Sequence, residues 1–249
     1  MKYFYFLLFS MFLVACAANE EKEGPKLLDT TSKDKRVTPT DTIKKVKSDY
    51  KISADLCDVQ SINSLIKVEL KYATNDNFVK KVLYKKIDKA YLQKDVAIRL
   101  SKCQDYLSAI HHDLYLLIYD AVRPVSVQQI MWDALDSIPV KRRIKFVSNP
   151  KNRSIHNYGA AVDLTICNAA GNPLDMGAKY DEIDSIAYPS LEALFLKRGL
   201  LTKEQIANRV ILRKVMASQQ FTGIASEWWH FNACSRQKAA LNYQLMLEE

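Results

Sequence analysis

The chain has 249 residues, 48% of them hydrophobic, and a formal net charge of +8. Once an N-terminal export segment is set aside, this length leaves one domain of ordinary size, and no internal repeat points to an array. The basic charge alone would suit nucleic acid. An exported chain rarely meets nucleic acid, so anionic lipid or cell-wall polymer is the more suitable partner, but the charge is most simply explained by solubility alone.

Residues 1–15 are predicted to be a lipoprotein signal peptide. Lys2 precedes an apolar run, Phe4–Ala15, that is short for a permanent membrane span. Leu13-Val14-Ala15-Cys16 is typical of a lipobox, in which Cys16 is lipidated and becomes the new N-terminus. An uncleaved anchor or a buried helix is the alternative. The prediction places the protein at the periplasmic face of the cell envelope, held to the membrane through Cys16, and Ala17 favours the outer membrane because it is not aspartate.

Residues 16–51 are predicted to be the lipidated N-terminus and a disordered tether. Lysine, acidic residues, threonine and serine dominate this stretch, and the first aromatic residue after the signal peptide is Tyr50. Such a composition buries too little apolar surface to offset the entropy lost on ordering. Residues 52–249 are then expected to form a single folded domain.

The hydrophobic pattern of that domain predicts irregularly alternating strands and helices. Strands are predicted around Ile66–Leu70 and over Leu114–Tyr119, Gly159–Ile166 and Ser226–Asn232. Helices are predicted over Tyr91–Ile110, from Pro124 through Leu135, and over Ser190–Arg198 and Thr202–Ala217, with Gly199 as a stop signal. Repeated βαβ spacing is lacking, so the pattern favours an α+β fold over a doubly wound sheet.

Four cysteines remain after Cys16 is assigned to the lipobox, and their spacing matches no zinc ribbon. In an oxidising compartment they could form up to two disulfides with three pairings, or remain small buried side chains. The sequence does not choose among these arrangements for Cys57, Cys103, Cys167 and Cys234.

Two of the four histidines lie in patterns typical of a metal site. His156 precedes Asp163 by seven residues, and His230 follows Glu227 by three. Two imidazoles and one carboxylate can bind zinc and leave a fourth position for water. Taken alone, a His–Asp pair is more often an ordinary hydrogen-bonded contact. The remaining two histidines end a predicted helix, where polar or cationic side chains suit the helix dipole, and receive no catalytic role: His111 and His112.

Strand geometry sets a condition on both pairs. On regular strands, His156 would point away from Asp163, and Glu227 away from His230. Gly159 allows the chain to bend, so that His156 can fold back over the strand. Glu227 must accordingly lie on a loop or bulge leading into the last strand.

Five segments, in this order, resemble the zinc D-alanyl-D-alanine dipeptidases of the VanX type. They are Lys71–Phe78, Tyr119–Pro124, the run Ser154-x-His156-x-x-Gly159-x-Ala161-x-Asp163, Met176–Asp181 and Glu227-Trp228-Trp229-His230. The resemblance implies a hedgehog/DD-peptidase-like α+β fold, with a central, mainly antiparallel sheet flanked by helices and a zinc site in a cleft over the sheet. The lipobox and tether depart from the cytoplasmic resistance enzymes.

The resemblance also implies roles for individual residues. One Zn²⁺ per chain would be held by His156, Asp163 and His230. Glu227 would accept a proton from the attacking water and pass it to the leaving amine. Arg123 would stabilise the oxyanion; without the resemblance it would be interpreted as a structural or surface arginine.

The implied reaction is hydrolysis of free D-Ala-D-Ala to two D-alanines. Asp181 and Tyr72 would recognise the amine of this small D,D-dipeptide, and Ser154 its carboxylate. Tyr158 and Asp120 are candidates for support only. Alternatives are a D,D-carboxypeptidase or peptidoglycan endopeptidase of the same superfamily, or a non-catalytic cell-wall-binding lipoprotein. Glu227 argues against the last, because binding needs no proton shuttle.

Overall fold

The computed structural model describes residues 55–249, so the predicted signal peptide, the lipidation site at Cys16 and the whole predicted tether lie outside the described residues. Among residues 55–249, no helix combines the length and apolar character needed to cross a bilayer. The strands are β1 Leu56–Asp58, β2 Lys67–Val68, β3 Tyr91–Gln93, β4 Leu114–Asp120, β5 Ala161–Asn168, β6 Thr222–Ile224 and β7 Glu227–Asn232. The helices are α1 Val59–Ile62, α2 Lys94–Ile110, α3 Val125–Asp133, α4 Val140–Arg143, α5 Glu192–Lys197, α6 Lys203–Ala217 and α7 Arg236–Asn242.

A five-stranded sheet in the order β2-β4-β5-β7-β6 forms the centre of the fold. Only the β2–β4 pair is parallel, and the other three pairs are antiparallel. Helix α2 packs against β4 and against α6, which in turn contacts β5 and β6. The predicted α+β class, with a mainly antiparallel sheet flanked by helices, is confirmed.

Strand β5 is the buried centre of this sheet. Its first seven residues are all buried, with Val162, Leu164 and Ile166 on one face. Asp163 and Thr165 alternate with them on the other face and are buried as well. A carboxylate in such a strand needs charged or hydrogen-bonding partners. The position of Asp163 therefore indicates that charged or hydrogen-bonding groups lie above this face of the sheet.

Three helix starts differ slightly from the prediction, and one of them is α5, which begins at Glu192 instead of Ser190. Residues Tyr91–Gln93 form strand β3 instead of the first turn of α2, because they pair with β1 in a ladder running from Leu56↔Gln93 to Asp58↔Tyr91. Pro124 is the N-cap of α3, with ψ at 150°, and the helix begins at Val125. Helix α6 begins as predicted beyond Thr202, whose hydroxyl accepts a hydrogen bond from the Gln205 backbone in a capping box.

The four cysteines carry free thiols in this structure. Cys103 and Cys167 are buried, whereas Cys57 and Cys234 are partly exposed. Burial raises the pKa of the Cys103 thiol to about 12 and that of Cys167 to about 11. These two side chains therefore act as small apolar groups of the core.

Candidate active site

A tight turn before β5 brings His156 over the sheet. Residues Ile155–Tyr158 form a 3-10 turn closed by a capping box between Ser154 and Asn157. Gly159 ends the turn at φ 63°, and a Cβ placed there would lie 2.6 Å from Leu56 Cδ2. Both the backbone conformation and the close approach therefore call for glycine, which allows the predicted bend.

Asp163 and His230 meet because they are opposite each other in the β5–β7 register. His230 Nδ1 lies 2.9 Å from Asp163 Oδ1, and His156 Nε2 lies 3.3 Å from the same oxygen. The two ring nitrogens are 3.2 Å apart. These three residues thus offer three ligand atoms within 4.8 Å of one another, the one such group of at least three among residues 55–249.

Hydrogen bonds outside the cluster orient both imidazoles. His156 Nδ1 donates to the Ala121 carbonyl at 2.7 Å, and His230 Nε2 donates to Asn232 Oδ1 at 2.9 Å. With these protons on the outer nitrogens, both inner nitrogens direct lone pairs at Asp163 Oδ1. That arrangement is repulsive without a cation, and it is how metal-binding histidines are oriented by neighbouring acceptors. The donor set therefore fits zinc.

The second oxygen of Asp163 has partners of its own. Tyr180 donates its hydroxyl to Oδ2 at 3.1 Å, and Arg123 Nη2 lies 3.3 Å from it. Burial by itself would raise the pKa of Asp163. In their protonated forms, the two imidazoles outweigh that effect and hold the pKa of Asp163 well below its usual range. Asp163 is therefore the anionic centre of the cluster.

Glu227 lies beside the ligand cluster and not within it. The β6–β7 register shifts between Gly223↔Phe231 and Ile224↔Glu227, so the start of β7 is irregular, as strand parity required. Glu227 Oε2 is 3.9 Å from His230 Nδ1. Burial raises the pKa of Glu227 to about 7, which suits a group that accepts and returns a proton near neutrality.

Arg123 is buried against carboxylates. Its Nε donates to Asp120 Oδ2 at 2.8 Å, and Nη2 contacts the same oxygen. Asp120 is fully buried and also accepts a hydrogen bond from the Tyr84 hydroxyl. Although burial favours the neutral form, these acids raise the pKa of Arg123 well above its usual value, so it stays charged. Within residues 55–249, Nη1 of Arg123 makes no hydrogen bond and is available to a ligand.

Tyr72 and Asp181 form a second polar pair in the same cleft. The Tyr72 hydroxyl donates to Asp181 Oδ1 at 2.9 Å. Burial raises the pKa of Asp181 to about 8, and its backbone adopts a φ of 60°, which is strained for a residue other than glycine. Ser154, also buried, accepts a hydrogen bond from the His156 backbone at 3.3 Å.

One cavity of about 230 Å³ brings the predicted site residues together. It is lined by each of the eight predicted site residues of the folded domain: Tyr72, Arg123, Ser154, His156, Asp163, Asp181, Glu227 and His230. Its volume lies below the range of roughly 300–1,000 Å³ typical of drug-sized pockets. The cavity therefore suits a small, polar ligand.

Several supporting groups were absent from the sequence prediction. Asn232 could have been found, because it lies two residues beyond His230 on the same strand face. Tyr180 precedes Asp181 in the segment Met176–Asp181, but nothing in the sequence indicates that it contacts Asp163. The Ala121 carbonyl could not have been found from residue type, because every residue has a backbone carbonyl. The prediction that Asp120 is a supporting residue agrees with its contacts, whereas Tyr158 packs in the core and neither His111 nor His112 lines the cavity.

Comparison with known proteins gives the same family as the motifs. Residues 52–246 match the Peptidase_M15 family model, described as D-ala-D-ala dipeptidase. The chain is 33% identical over 200 residues to a D-alanyl-D-alanine dipeptidase of Escherichia coli (strain K12), covering 79% of this chain and 92% of that protein. It is 28% identical over 168 residues to a D-alanyl-D-alanine dipeptidase of Synechocystis, covering 57% and 68%.

Among solved structures, the vancomycin resistance D,D-dipeptidase VanXYg in complex with a D-Ala-D-Ala phosphinate analogue matches with a TM-score of 0.34 and 18% identity, covering 75% of this chain and 69% of that one. The resemblance predicted from the motifs is confirmed by the family model and by the Escherichia coli relative. Because the family model spans most of the chain, this protein is a peptidase that belongs to the D-Ala-D-Ala dipeptidase family.

Proposed function

We propose that this peptidase hydrolyses the free dipeptide D-Ala-D-Ala to two D-alanines and that it requires one zinc ion per chain. The observation that carries the proposal is the convergence of His156 Nε2, Asp163 Oδ1 and His230 Nδ1 within 4.8 Å, with Glu227 at the edge of the cluster. The family membership and the small cavity support the same substrate class.

The three ligand atoms are of the types zinc prefers, and three protein ligands leave a coordination position open. A zinc ion held there would supply Lewis acidity, lowering the pKa of a coordinated water toward ~7. The chain's own contribution is orientation, because Ala121 and Asn232 fix the two imidazoles. Both rings thus present the correct nitrogen without rearrangement.

Glu227 is the proposed general base and acid. Its carboxylate accepts the proton of the attacking water and then delivers it to the nitrogen of the breaking peptide bond, so that the amine leaves neutral. The 3.9 Å separation between Oε2 and His230 Nδ1 places the carboxylate next to the ligand atoms. Proton transfer by such a group contributes typically 10²–10⁴-fold to the rate.

Arg123 is the proposed oxyanion donor. Asp120 holds one side of the guanidinium, so Nη1 can approach the carbonyl oxygen as negative charge develops on it. One such donor is worth about 3 kcal/mol of transition-state stabilisation. Because the arginine is already buried and charged, little reorganisation is needed when the substrate reacts.

The two ends of the dipeptide are read by different groups. Asp181, held by Tyr72, is proposed to bind the cationic amine, and Ser154 the carboxylate. An amine cation next to Asp181 offsets the cost of ionising this half-buried acid. Since the cavity measures about 230 Å³, it leaves little room beyond a dipeptide.

The alternative within the superfamily is a D,D-carboxypeptidase or peptidoglycan endopeptidase. The decisive experiment compares hydrolysis of free D-Ala-D-Ala with that of an acyl-D-Ala-D-Ala stem peptide, together with metal analysis of the purified protein. Turnover of the free dipeptide by protein containing one zinc ion supports the proposal. Turnover confined to the acylated peptide rejects it in favour of the alternative. No turnover of either substrate would leave a cell-wall-binding lipoprotein.

The proposed location is the periplasmic face of the cell envelope, with a lipid anchor at Cys16. The lipobox and the charged stretch that follows it support this proposal. Replacing Cys16 with serine should prevent acylation, which mass spectrometry of the membrane-extracted protein would detect. If the Cys16→Ser protein and the original protein, both extracted from membranes, differ in mass only by the Cys-to-Ser exchange, the lipid anchor is contradicted. Contact of the basic domain with cell-wall polymer is tested by binding to purified wall fragments at low and high salt.

A further inference from the structure

Tyr180 contacts the metal-site carboxylate from the side away from the two imidazoles. Its hydroxyl donates to Asp163 Oδ2 at 3.1 Å, whereas Oδ1 is the oxygen that lies near His156 and His230. The two oxygens of Asp163 therefore have separate surroundings. One faces the ligand nitrogens and the other faces hydrogen-bond donors.

The ring of Tyr180 is fixed by aromatic neighbours. Its centroid lies 5.1 Å from that of Tyr119, 5.4 Å from that of Trp229 and 6.1 Å from that of Tyr72. The contacts with Trp229 and Tyr72 are edge-on, a favourable arrangement for aromatic pairs. A ring packed between three others has little freedom to swing, so the hydroxyl stays beside Asp163.

The other donor to Oδ2 is Arg123, but this arginine has competing partners. Its Nη2 lies 3.3 Å from Asp163 Oδ2 and is closer to Asp120, which also accepts from Nε. In the proposed reaction, the guanidinium also serves the oxyanion. The Tyr180 hydroxyl also lies within hydrogen-bond reach of the Tyr72 hydroxyl, which itself donates to Asp181, so Asp163 is the carboxylate that accepts from Tyr180.

We infer that Tyr180 is a positioning residue for the metal ligand, an inference that rests on the proposed zinc site. Its hydroxyl holds Oδ2 away from the cluster, so Asp163 presents Oδ1 alone to the cation. Without this donor, the carboxylate can rotate about its terminal bond, because that torsion has a broad energy minimum. Tyr180 thereby sets how tightly and in what geometry the metal is held.

The test is Tyr180→Phe in the full chain, with the zinc dissociation constant measured by competition with a chelator. Removing a partner of a metal ligand typically weakens metal binding 10–100-fold, and we expect a loss in that range. Tyr119→Phe is the matched control. It removes a hydroxyl from the adjacent ring, and that hydroxyl makes no hydrogen bond within residues 55–249. Its zinc affinity should stay within about twofold of the original.

A second readout separates positioning from packing. The visible absorption spectrum of the Co²⁺-substituted protein reports ligand geometry, and it should change in Tyr180→Phe but not in Tyr119→Phe. Thermal unfolding of the metal-free proteins should differ little. Unchanged zinc affinity and an unchanged Co²⁺ spectrum in Tyr180→Phe would overturn the inference. Tyr180→Met, which fills the space without a donor, provides the same comparison if the phenylalanine variant does not fold.

His230→Ala distinguishes a failure of this inference from a failure of the proposed function. If the original chain and His230→Ala bind zinc equally, the zinc site itself is wrong. If His230→Ala loses the metal while Tyr180→Phe retains full affinity and the original spectrum, only the role of Tyr180 is wrong.

Discussion

Asp163 and His230 are paired twice, first by backbone register and then by side chains. They are opposite each other on antiparallel strands β5 and β7, and Nδ1 of the histidine lies 2.9 Å from Oδ1 of the aspartate. Directly opposed side chains in such a ladder are about 4.5–5.5 Å apart at Cβ. The sheet itself therefore holds two of the three proposed ligand residues in place, and only His156 depends on a turn.

Replacing Glu227 with glutamine should abolish turnover while leaving zinc content near one ion per chain. Glutamine keeps the size of the side chain but cannot accept the proton, so a loss of about 10²–10⁴-fold in kcat is expected. Steady-state kinetics with D-Ala-D-Ala and metal analysis of the same preparation check this. Activity within tenfold of the original, at equal zinc content, would exclude Glu227 as the base.

Replacing Arg123 with lysine should lower kcat by about 10²–10³-fold with a smaller effect on KM. Lysine keeps the positive charge, so Asp120 retains a cationic partner. Lysine cannot, however, make two contacts to Asp120 and also donate a hydrogen bond to the substrate, as arginine can. Separate determination of kcat and KM tests the assignment. A rise in KM at constant kcat would instead show that Arg123 contributes to ground-state binding.

Asp181→Asn should raise stability while impairing substrate binding. The pKa of Asp181 is about 8 in the folded chain, against an ordinary value of 3.8, because burial disfavours the charged form. The folded state therefore binds the extra proton, and the free energy of unfolding falls as pH rises from about 4 to about 8, then levels off. Asparagine removes this pH dependence.

At pH 8, the Asp181→Asn variant should unfold at least about 2–4 °C above the original chain, the shift that ~1 kcal/mol produces in a domain of this size. KM for D-Ala-D-Ala should rise because the amine loses its counter-charge. Thermal unfolding is measured for both proteins at pH 4 and pH 8. Their unfolding temperatures should be nearly equal at pH 4. A variant less stable than the original at pH 8 would contradict the assigned pKa.

Gly159→Ala should destabilise the chain and weaken zinc binding together. The new Cβ would lie 2.6 Å from Leu56 Cδ2 at a φ of 63°, in the turn that carries His156. Gly171→Ala is the matched control, since φ there is 88° and nothing lies within 4 Å. The left-handed conformation costs about 1–2 kcal/mol in either variant.

Only in Gly159→Ala does the new Cβ also clash with a neighbouring side chain, and such overpacking typically lowers the free energy of unfolding by a further ~1–3 kcal/mol. Chemical denaturation and chelator competition would measure the two effects. Equal stability and equal zinc affinity in the two alanine variants would show that the close approach at Gly159 has no bearing on the site.

Strand parity, read from residue spacing, anticipated two local irregularities. Because Glu227 and His230 cannot share a face of a regular strand, a loop or bulge was required at Glu227, and the shifted β6–β7 register provides it. The same reasoning required a bend between His156 and Asp163, which Gly159 provides. These features follow from the period of a strand and the conformational range of glycine, both of which are local properties.

Of the eight polar groups that line the cavity, Tyr72, Arg123, Ser154 and Asp181 were predicted only through the family resemblance. Residue type and local period were enough to predict the α+β class, most of the longer elements and the pairs His156–Asp163 and Glu227–His230. They could not predict that Tyr180 would bond to Asp163, that Asp120 would hold Arg123, or that Tyr91–Gln93 would leave the helix to pair with β1. Each of these depends on which surfaces come together after folding. Hydrogen-bond partners distant in sequence are selected by packing and burial, and no spacing rule along the chain records that choice.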